Sequence, residues 1–305
     1  MGDEAPADHG EARQAHRPAI YFVSDYGLDD EFVGVVHSVL DTATGGARVV
    51  DVAHGIRSFD VRAGALLLTR VVSSLGPGVI LAVVDPGVGT ARRGVAIEVA
   101  DGRPASGSRG KGPRWLVGPD NGLFGWTIDA LGGAVSACVL EPARHVGAPR
   151  TFDGRDVFAP AAARLWAGEP LATLGPFISV GELVRLAPLR IEIMSDARES
   201  GVTWVDRFGN VQLAAGERDA TAAGVGAGSA LDARVLAPSG RHRHRVRWVA
   251  AFGELDAHEL GVLIDANGRL AIVERGGSAA TTLGVAAGDM VHVGVPEQGD
   301  VERRR

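Results

Sequence analysis

The sequence predicts an α/β fold in which an N-terminal α/β domain, with a mainly parallel sheet flanked by helices, precedes a C-terminal all-β barrel domain. In the first half, short apolar runs alternate with segments of helical apolar spacing, which is typical of a mainly parallel sheet. Beyond Pro188, short β-rich runs punctuated by Gly, Asp and Asn take over, which is typical of a small barrel. The composition, 46% hydrophobic and 22% charged, is that of a globular protein.

The N-terminal elements follow one another as strand, helix and strand. Apolar runs bounded by turn residues predict the strands, and apolar residues three and four apart predict the helices. Loops at the carboxyl ends of parallel strands usually form the ligand crevice. The predicted strands are 19–23, 49–52, 79–84 and 115–117, and the predicted helices are 31–40, 61–75 and 157–166.

The predicted domains are 18–188 and 189–298, after a polar tail at 1–17 that we expect to be disordered. The segment 101–114, rich in Gly, Ser and basic residues, is expected to be a surface insertion, either a mobile lid or a solvated loop. The barrel strands are expected in the runs 190–194, 201–205, 211–213, 233–236, 246–249, 261–264, 270–273 and 290–293.

Composition excludes several classes of protein. A formal net charge of −6 argues against nucleic-acid binding. There is neither an apolar stretch long enough to cross a membrane nor a secretion signal, so we expect a cytoplasmic protein. Cys138 is the one cysteine, so an intrachain disulfide is impossible, and its apolar surroundings predict a buried thiol.

Polar clusters follow the predicted strands. Asp25 ends the first, where a carboxylate suits a ribose diol because it accepts hydrogen bonds; capping a helix or binding a metal are the alternatives. Asp85 ends another, and Arg92 can fold back to it, either to keep the carboxylate ionised or merely to stabilise the loop. The segments 151–160 and 205–210 supply further charged residues and an asparagine, whose amide suits an adenine edge.

Read together, these segments resemble the S-adenosylmethionine (SAM) hydrolase (adenosine-forming) family, also called SAM hydroxide adenosyltransferases, relatives of fluorinase and chlorinase. The resemblance runs from residue 19 to about 295. It implies hydrolysis of SAM to adenosine and L-methionine, SAM being the substrate with no separate cofactor or metal, and a homotrimer with active sites between neighbouring subunits. The matching stretches are FVSDYGLDDEFVG, VVDVAHGI, AVVDPGVGTARR, LVGPDNGLF, TFDGRDVFAPAAA, VDRFGN and LAIVERGGSAA.

The resemblance also implies roles for individual residues. Asp85, Arg92 and Asp153 occupy the positions of the family's water-activating Asp–Arg–His set, so Asp153 stands where the histidine is usual. We expect Asp85, held by Arg92, to position the water while Asp153 helps to accept its proton. The implied substrate-binding residues are Asp25 for the ribose diol, Phe59 near the sugar, Asp206 and Asn210 for the methionine amine and the adenine, and Ala266 and Glu274 for adenosine.

Three other functions are weighed against hydrolysis. A SAM- or adenosine-binding protein without turnover would follow if the loss of the histidine abolished catalysis. A halogenase is disfavoured because fluorinases carry Tyr, Thr and Ser at the positions of Asp85, Val88 and Gly154, and a carboxylate at position 85 would repel halide. Metal-dependent nucleoside hydrolysis through the segment 25–30 is the third, although Val23 stands where that pattern needs an Asp.

Overall fold

A computed structural model describes residues 18–100, 114–141, 151–188, 191–194, 197–222, 226, 230–237 and 240–294. The predicted tail at 1–17 and all but the last residue of the predicted insertion at 101–114 lie outside these ranges. The chain divides into two compact units, Met1–Arg185 and Leu186–Arg305.

The N-terminal unit is built on a seven-stranded sheet with helices on both faces. Its strands are β1 (Ala19–Ser24), β2 (Val49–Ala53), β3 (Gly78–Val83), β4 (Gly94–Val99), β5 (Trp115–Pro119), β6 (Ala134–Val139) and β7 (Phe177–Ile178). Its helices are α1 (Phe32–Thr44), α2 (Val61–Val71), α3 (Gly125–Ala130) and α4 (Ala159–Trp166).

The sheet order is β2-β1-β3-β5-β4-β6-β7. Strands β2, β1, β3 and β5 pair in parallel, β4 lies antiparallel between β5 and β6, and β7 is antiparallel to β6. Five of the seven strands therefore run in one direction, which confirms the predicted mainly parallel sheet.

Burial on both faces explains why the central strands are almost wholly apolar. Every residue of β1 and β3 is buried, as expected where helices cover both sides of a sheet. One apolar cluster packs the sheet against α1 and α4, and a second packs the other face near α2 and α3. Cys138 is fully buried as predicted, and this burial raises the pKa of its thiol to about 11.

All three predicted helices differ from the structure in their bounds. The helix predicted at 31–40 begins at Phe32 and extends to Thr44. The helix predicted at 61–75 ends at Val71 and continues only as a 3₁₀ turn, Val72–Ser74. The helix predicted at 157–166 is preceded by a π-helical turn, Gly154–Phe158, so helical structure begins three residues before the predicted start. Such wide turns often occur at functional sites.

The C-terminal unit is the predicted β barrel. Along the sheet the order is β10-β14-β13-β12-β11-β15-β9-β8, and a further pairing of β10 with β9 closes a ring of seven strands, with β8 paired to β9 outside it. The strands are β8 (Ile191–Met194), β9 (Ala197–Val205), β10 (Val211–Gly216), β11 (Ala230–Ala237), β12 (Gly240–Trp248), β13 (Leu260–Ile264), β14 (Arg269–Glu274) and β15 (Met290–Gly294). Two short helices, α5 (Glu217–Ala222) and α6 (Ala279–Leu283), accompany them.

In the part of the chain that the structure describes, no helix is both long and apolar enough to span a bilayer.

Candidate active site

The carboxyl ends of β1 and β3 bring Asp25 and Asp85 together. The two strands are parallel neighbours, with Ser24 paired to Val83. The residues that follow therefore leave the sheet side by side, Asp25 directly after β1 and Asp85 two residues after β3. The predicted crevice thus holds two carboxylates.

Asp25 is fixed by the backbone of a distant loop. The N–H of Phe59 donates to Oδ2 of Asp25 over 2.7 Å. Burial raises the pKa of Asp25; the Phe59 hydrogen bond opposes this rise, and the charge of Asp85 adds to it. The alternative that Asp25 caps a helix is wrong, because Glu31 is the N-cap residue of α1 and no side chain caps that end.

Phe59 adopts a backbone conformation that is rare for a non-glycine residue. Its φ is +67°, in the left-handed region that costs energy for a side chain of this size. The ring is 66% exposed, so burial of the ring does not repay the cost. What this conformation provides is the hydrogen bond to Asp25 and a projecting aromatic surface next to it.

Asp85, Arg92 and Asp153 form one buried ionic cluster. The local motif predicted that Arg92 folds back to Asp85, whereas only the family resemblance placed Asp153 with them. Arg92 donates from Nε to Oδ1 of Asp85 over 3.0 Å, and its Nη2 donates both to Oδ2 of Asp85 and, over 2.7 Å, to Oδ2 of Asp153. The side chains of Asp85, Arg92 and Asp153 are 6%, 8% and 2% exposed. The fork of Arg92 therefore fixes the direction of both carboxylates.

The electrostatics of the cluster favour a base. Burial raises the pKa of Asp85, Arg92 opposes the rise, and the charge of Asp153 adds to it. A carboxylate with a raised pKa holds a proton better and is therefore a stronger general base. The Nη1 atom of Arg92 is buried and finds no acceptor among the described residues, so the guanidinium retains one donor that the two carboxylates do not use.

Only one residue of the third charged motif joins the cluster. Arg155 and Asp156 pair with each other over 2.6 and 2.8 Å and lie toward the surface. Asp153, at the start of the π-helical turn, instead faces Arg92.

A buried histidine that sequence reasoning did not single out supports the loop of Asp25. His54 Nδ1 lies 2.7 Å from Ser24 Oγ, which in turn accepts from the N–H of Tyr26. The carbonyl of His54 accepts from the N–H of Gly27 over 2.8 Å. The available signal was its place in the matching stretch VVDVAHGI.

In the C-terminal unit, Asp206 and Asn210 lie on one turn. Asp206 accepts from the backbone N–H groups of Phe208 and Asn210 and from the side-chain amide of Asn210, each over 2.8–2.9 Å. The turn is tied to the first turn of α6 because the N–H of Ala280 donates to the carbonyl of Gly209.

Glu274 and Ala266 lie at opposite ends of β14. Glu274 is buried, accepts from Thr282 Oγ1 over 2.6 Å, and lies shortly before α6, the helix that is tied to the Asp206 turn. Ala266 is exposed in the turn before β14, and the five residue steps of that strand span about 17 Å. The structure therefore brings Asp206, Asn210 and Glu274 to one end of the barrel and leaves Ala266 away from them.

Metal binding has no support from the part of the chain that is described. Within it, no group of three or more His, Cys, Asp or Glu side chains is arranged to hold an ion.

Comparison with known families gives matches along most of the chain. A family model described as the SAM hydroxide adenosyltransferase N-terminal domain matches residues 20–175, and one for the C-terminal domain of the same family matches residues 200–292.

Curated relatives and solved structures agree with these matches. A protein of Salinispora tropica named (R)-S-adenosyl-L-methionine hydrolase is 42% identical over 281 residues, covering 92% of this chain and 98% of its own length. A Nocardia brasiliensis protein named fluorinase is 28% identical, covering 92% of this chain and 97% of its own. The crystal structure of an uncharacterized conserved protein from Thermotoga maritima superposes with a TM-score of 0.80 at 29% identity, covering 90% of this chain and 99% of that one.

Proposed function

Because the chain belongs to the SAM hydroxide adenosyltransferase family, we propose that it hydrolyses S-adenosyl-L-methionine to adenosine and L-methionine. The observation that carries the proposal is the buried Asp85–Arg92–Asp153 cluster beside Asp25. It provides two carboxylates held in fixed directions, and burial raises the pKa of one of them, Asp85, at the end of the sheet where ligands of such folds bind.

The leaving group of this reaction needs no proton from the protein. An O–C5′ bond forms from water, the C5′–S bond breaks, and its electron pair goes to sulfur, which leaves as the neutral thioether of methionine. No general acid is needed there. The attacking water must lose a proton, which passes to a carboxylate and then to solvent, and orientation of the water supplies much of the rate.

In this mechanism Asp85, held by Arg92, positions the water, and Asp153 helps to accept its proton. Both carboxylates hydrogen-bond the same guanidinium, which offsets the repulsion that two carboxylates near one water would otherwise create.

The remaining predicted residues are proposed as substrate contacts. Asp25 accepts from the ribose diol with the oxygen lone pairs that Phe59 leaves available, and the exposed Phe59 ring packs near the sugar. We further propose Asp206 and Asn210 as contacts for the methionine amine and the adenine, and Glu274 as a contact for adenosine. Ala266, which the resemblance also assigned to adenosine, is not retained because it lies at the opposite end of β14.

Halogenation is disfavoured by the same cluster. A halide would have to approach the buried Asp85 and Asp153, whose two carboxylates face the single charge of Arg92. Repulsion is strong in such partly desolvated surroundings. The cluster therefore favours a neutral nucleophile such as water over a halide.

One observation favours a second function, binding without turnover. Asp153 occupies the position of the family histidine and already engages Arg92, so a SAM or adenosine sensor would keep the substrate contacts and lack the reaction.

The oligomeric state and cellular location of the enzyme are also proposals. We expect a cytoplasmic homotrimer with active sites between neighbouring subunits, as in the family that the chain resembles, and sedimentation equilibrium at three times the 31.6 kDa chain mass would support it.

Incubation with SAM in halide-free buffer, followed by chromatography, tests the function. We expect adenosine and methionine in equal amounts, and added chloride or fluoride should neither increase consumption of SAM nor yield halogenated adenosine. Intact SAM together with measurable SAM binding would instead show the sensor, and a halogenated product would show the halogenase.

A further inference from the structure

Tyr26, which directly follows Asp25, has a rigidly held ring. It makes tilted or edge-on contacts with Phe22, Phe32 and Phe152, with ring centroids 5.5–6.3 Å apart. Its backbone N–H donates to Ser24 Oγ. The ring therefore has little freedom, and the place of its hydroxyl is set by the fold.

The hydroxyl of Tyr26 reaches the segment that carries Asp153. Oη lies so close to Gly154 that a Cβ built on that glycine would overlap it. Gly154 is thus required for a spatial reason, because any side chain there would displace the Tyr26 hydroxyl.

The surroundings of the hydroxyl keep it protonated. Burial raises the pKa of Tyr26 most, the charges of Asp25, Asp85 and Asp153 raise it further, and Arg92 opposes them. The pKa lies above the usual value of a phenol, so the group is neutral near pH 7.

The same hydroxyl has no hydrogen-bond partner among the described residues. A tyrosine that is mostly buried usually finds one, and a neutral phenol oxygen is an acceptor as well as a donor. Tyr26 therefore presents an unused polar atom next to the ionic cluster.

We propose that Tyr26 is a further catalytic residue, whose Oη contacts the attacking water beside Asp153; this rests on the proposed hydrolysis. A water molecule has two protons, and two acceptors are needed to fix its orientation. A carboxylate of the cluster accepts one hydrogen bond and takes that proton, and Oη accepts the other, which leaves a lone pair directed at C5′. The phenol is too weak a base to compete for the proton.

The test compares Tyr26→Phe with Tyr21→Phe in SAM hydrolysis. Tyr26→Phe keeps the aromatic packing and removes only Oη, so we expect kcat to fall about tenfold, as for the loss of one hydrogen bond in the transition state, with KM within twofold and Tm unchanged. Tyr21→Phe is the matched control, since its hydroxyl accepts from the N–H of Gly76. Gly76 lies just before β3, at the end of the sheet opposite Asp25.

The outcomes separate this proposal from the function on which it rests. Unsubstituted protein that yields no adenosine would reject the hydrolase and the role of Tyr26 together. Turnover by the unsubstituted protein with an equal kcat for Tyr26→Phe would reject the role of Tyr26 alone, and so would a loss seen only in KM or Tm.

A second comparison moves the hydroxyl without removing it. Gly154→Ala should lower kcat because its Cβ displaces Oη, and adding Tyr26→Phe should then cause no further loss, since the displaced group is already absent. Losses that multiply in the double variant would contradict the proposal.

Discussion

Asp85→Asn should lower kcat for adenosine release by about 10²–10⁴-fold, the usual contribution of a general base, with little change in KM. Asparagine keeps the shape of the side chain and one oxygen that can accept from Arg92, but it removes the charge that accepts a proton from water. The measurement is steady-state release of adenosine from SAM by chromatography, together with thermal denaturation to verify folding.

Asp129→Asn is the matched control for this loss. Asp129 lies on α3, is 61% exposed and pairs with Arg185 of the same unit, so its replacement should leave kcat unchanged. Turnover by Asp85→Asn within threefold of that of the control would show that Asp85 does not activate the water.

Arg92→Met should abolish turnover and also lower the free energy of unfolding, by about 3–5 kcal/mol, because it leaves buried charges without a counter-charge. Methionine keeps much of the apolar stem of the side chain and removes the guanidinium, which lies over the ring of Phe158. Asp85 and Asp153 would then face each other uncompensated, and the pKa of Asp85, which Arg92 holds down, would rise further. Urea unfolding and the adenosine assay measure the two effects.

Arg114→Met provides the comparison for stability. Arg114 forms an ion pair with Glu98 and is 66% exposed, so its loss should cost no more than about 1 kcal/mol. If Arg92→Met were no more destabilised than Arg114→Met, the buried cluster would not hold the site together as described.

The sequence allowed the catalytic half of the N-terminal unit to be predicted because its signals are local. The apolar runs of β1 and β3 identify buried strands, and the polar residues directly after them must lie at one edge of the sheet. Arg92 could be paired with Asp85 because a loop of seven residues with two glycines can fold back on itself. The role of Asp153 rested on family resemblance alone, since 61 residues separate it from Arg92.

What could not be predicted depends on contacts that local patterns do not encode. The bond from Phe59 to Asp25 requires a left-handed phenylalanine, for which no sequence signal exists. Tyr26 is part of the first motif, yet only its proximity to Gly154 shows where its hydroxyl lies. Ala266 is different, because the turn residues Asp265 to Gly268 and the strand after them already implied that it lies far from Glu274.

Hydrolysis of SAM in water enriched in ¹⁸O shows whether the oxygen that reaches the ribose carbon comes from a water molecule, as the positioning role of Asp85 and Arg92 requires. Mass spectrometry of the products should show one ¹⁸O atom in the 5′-hydroxyl of adenosine and none in methionine. Adenosine without the label, or SAM that remains intact, would contradict the account.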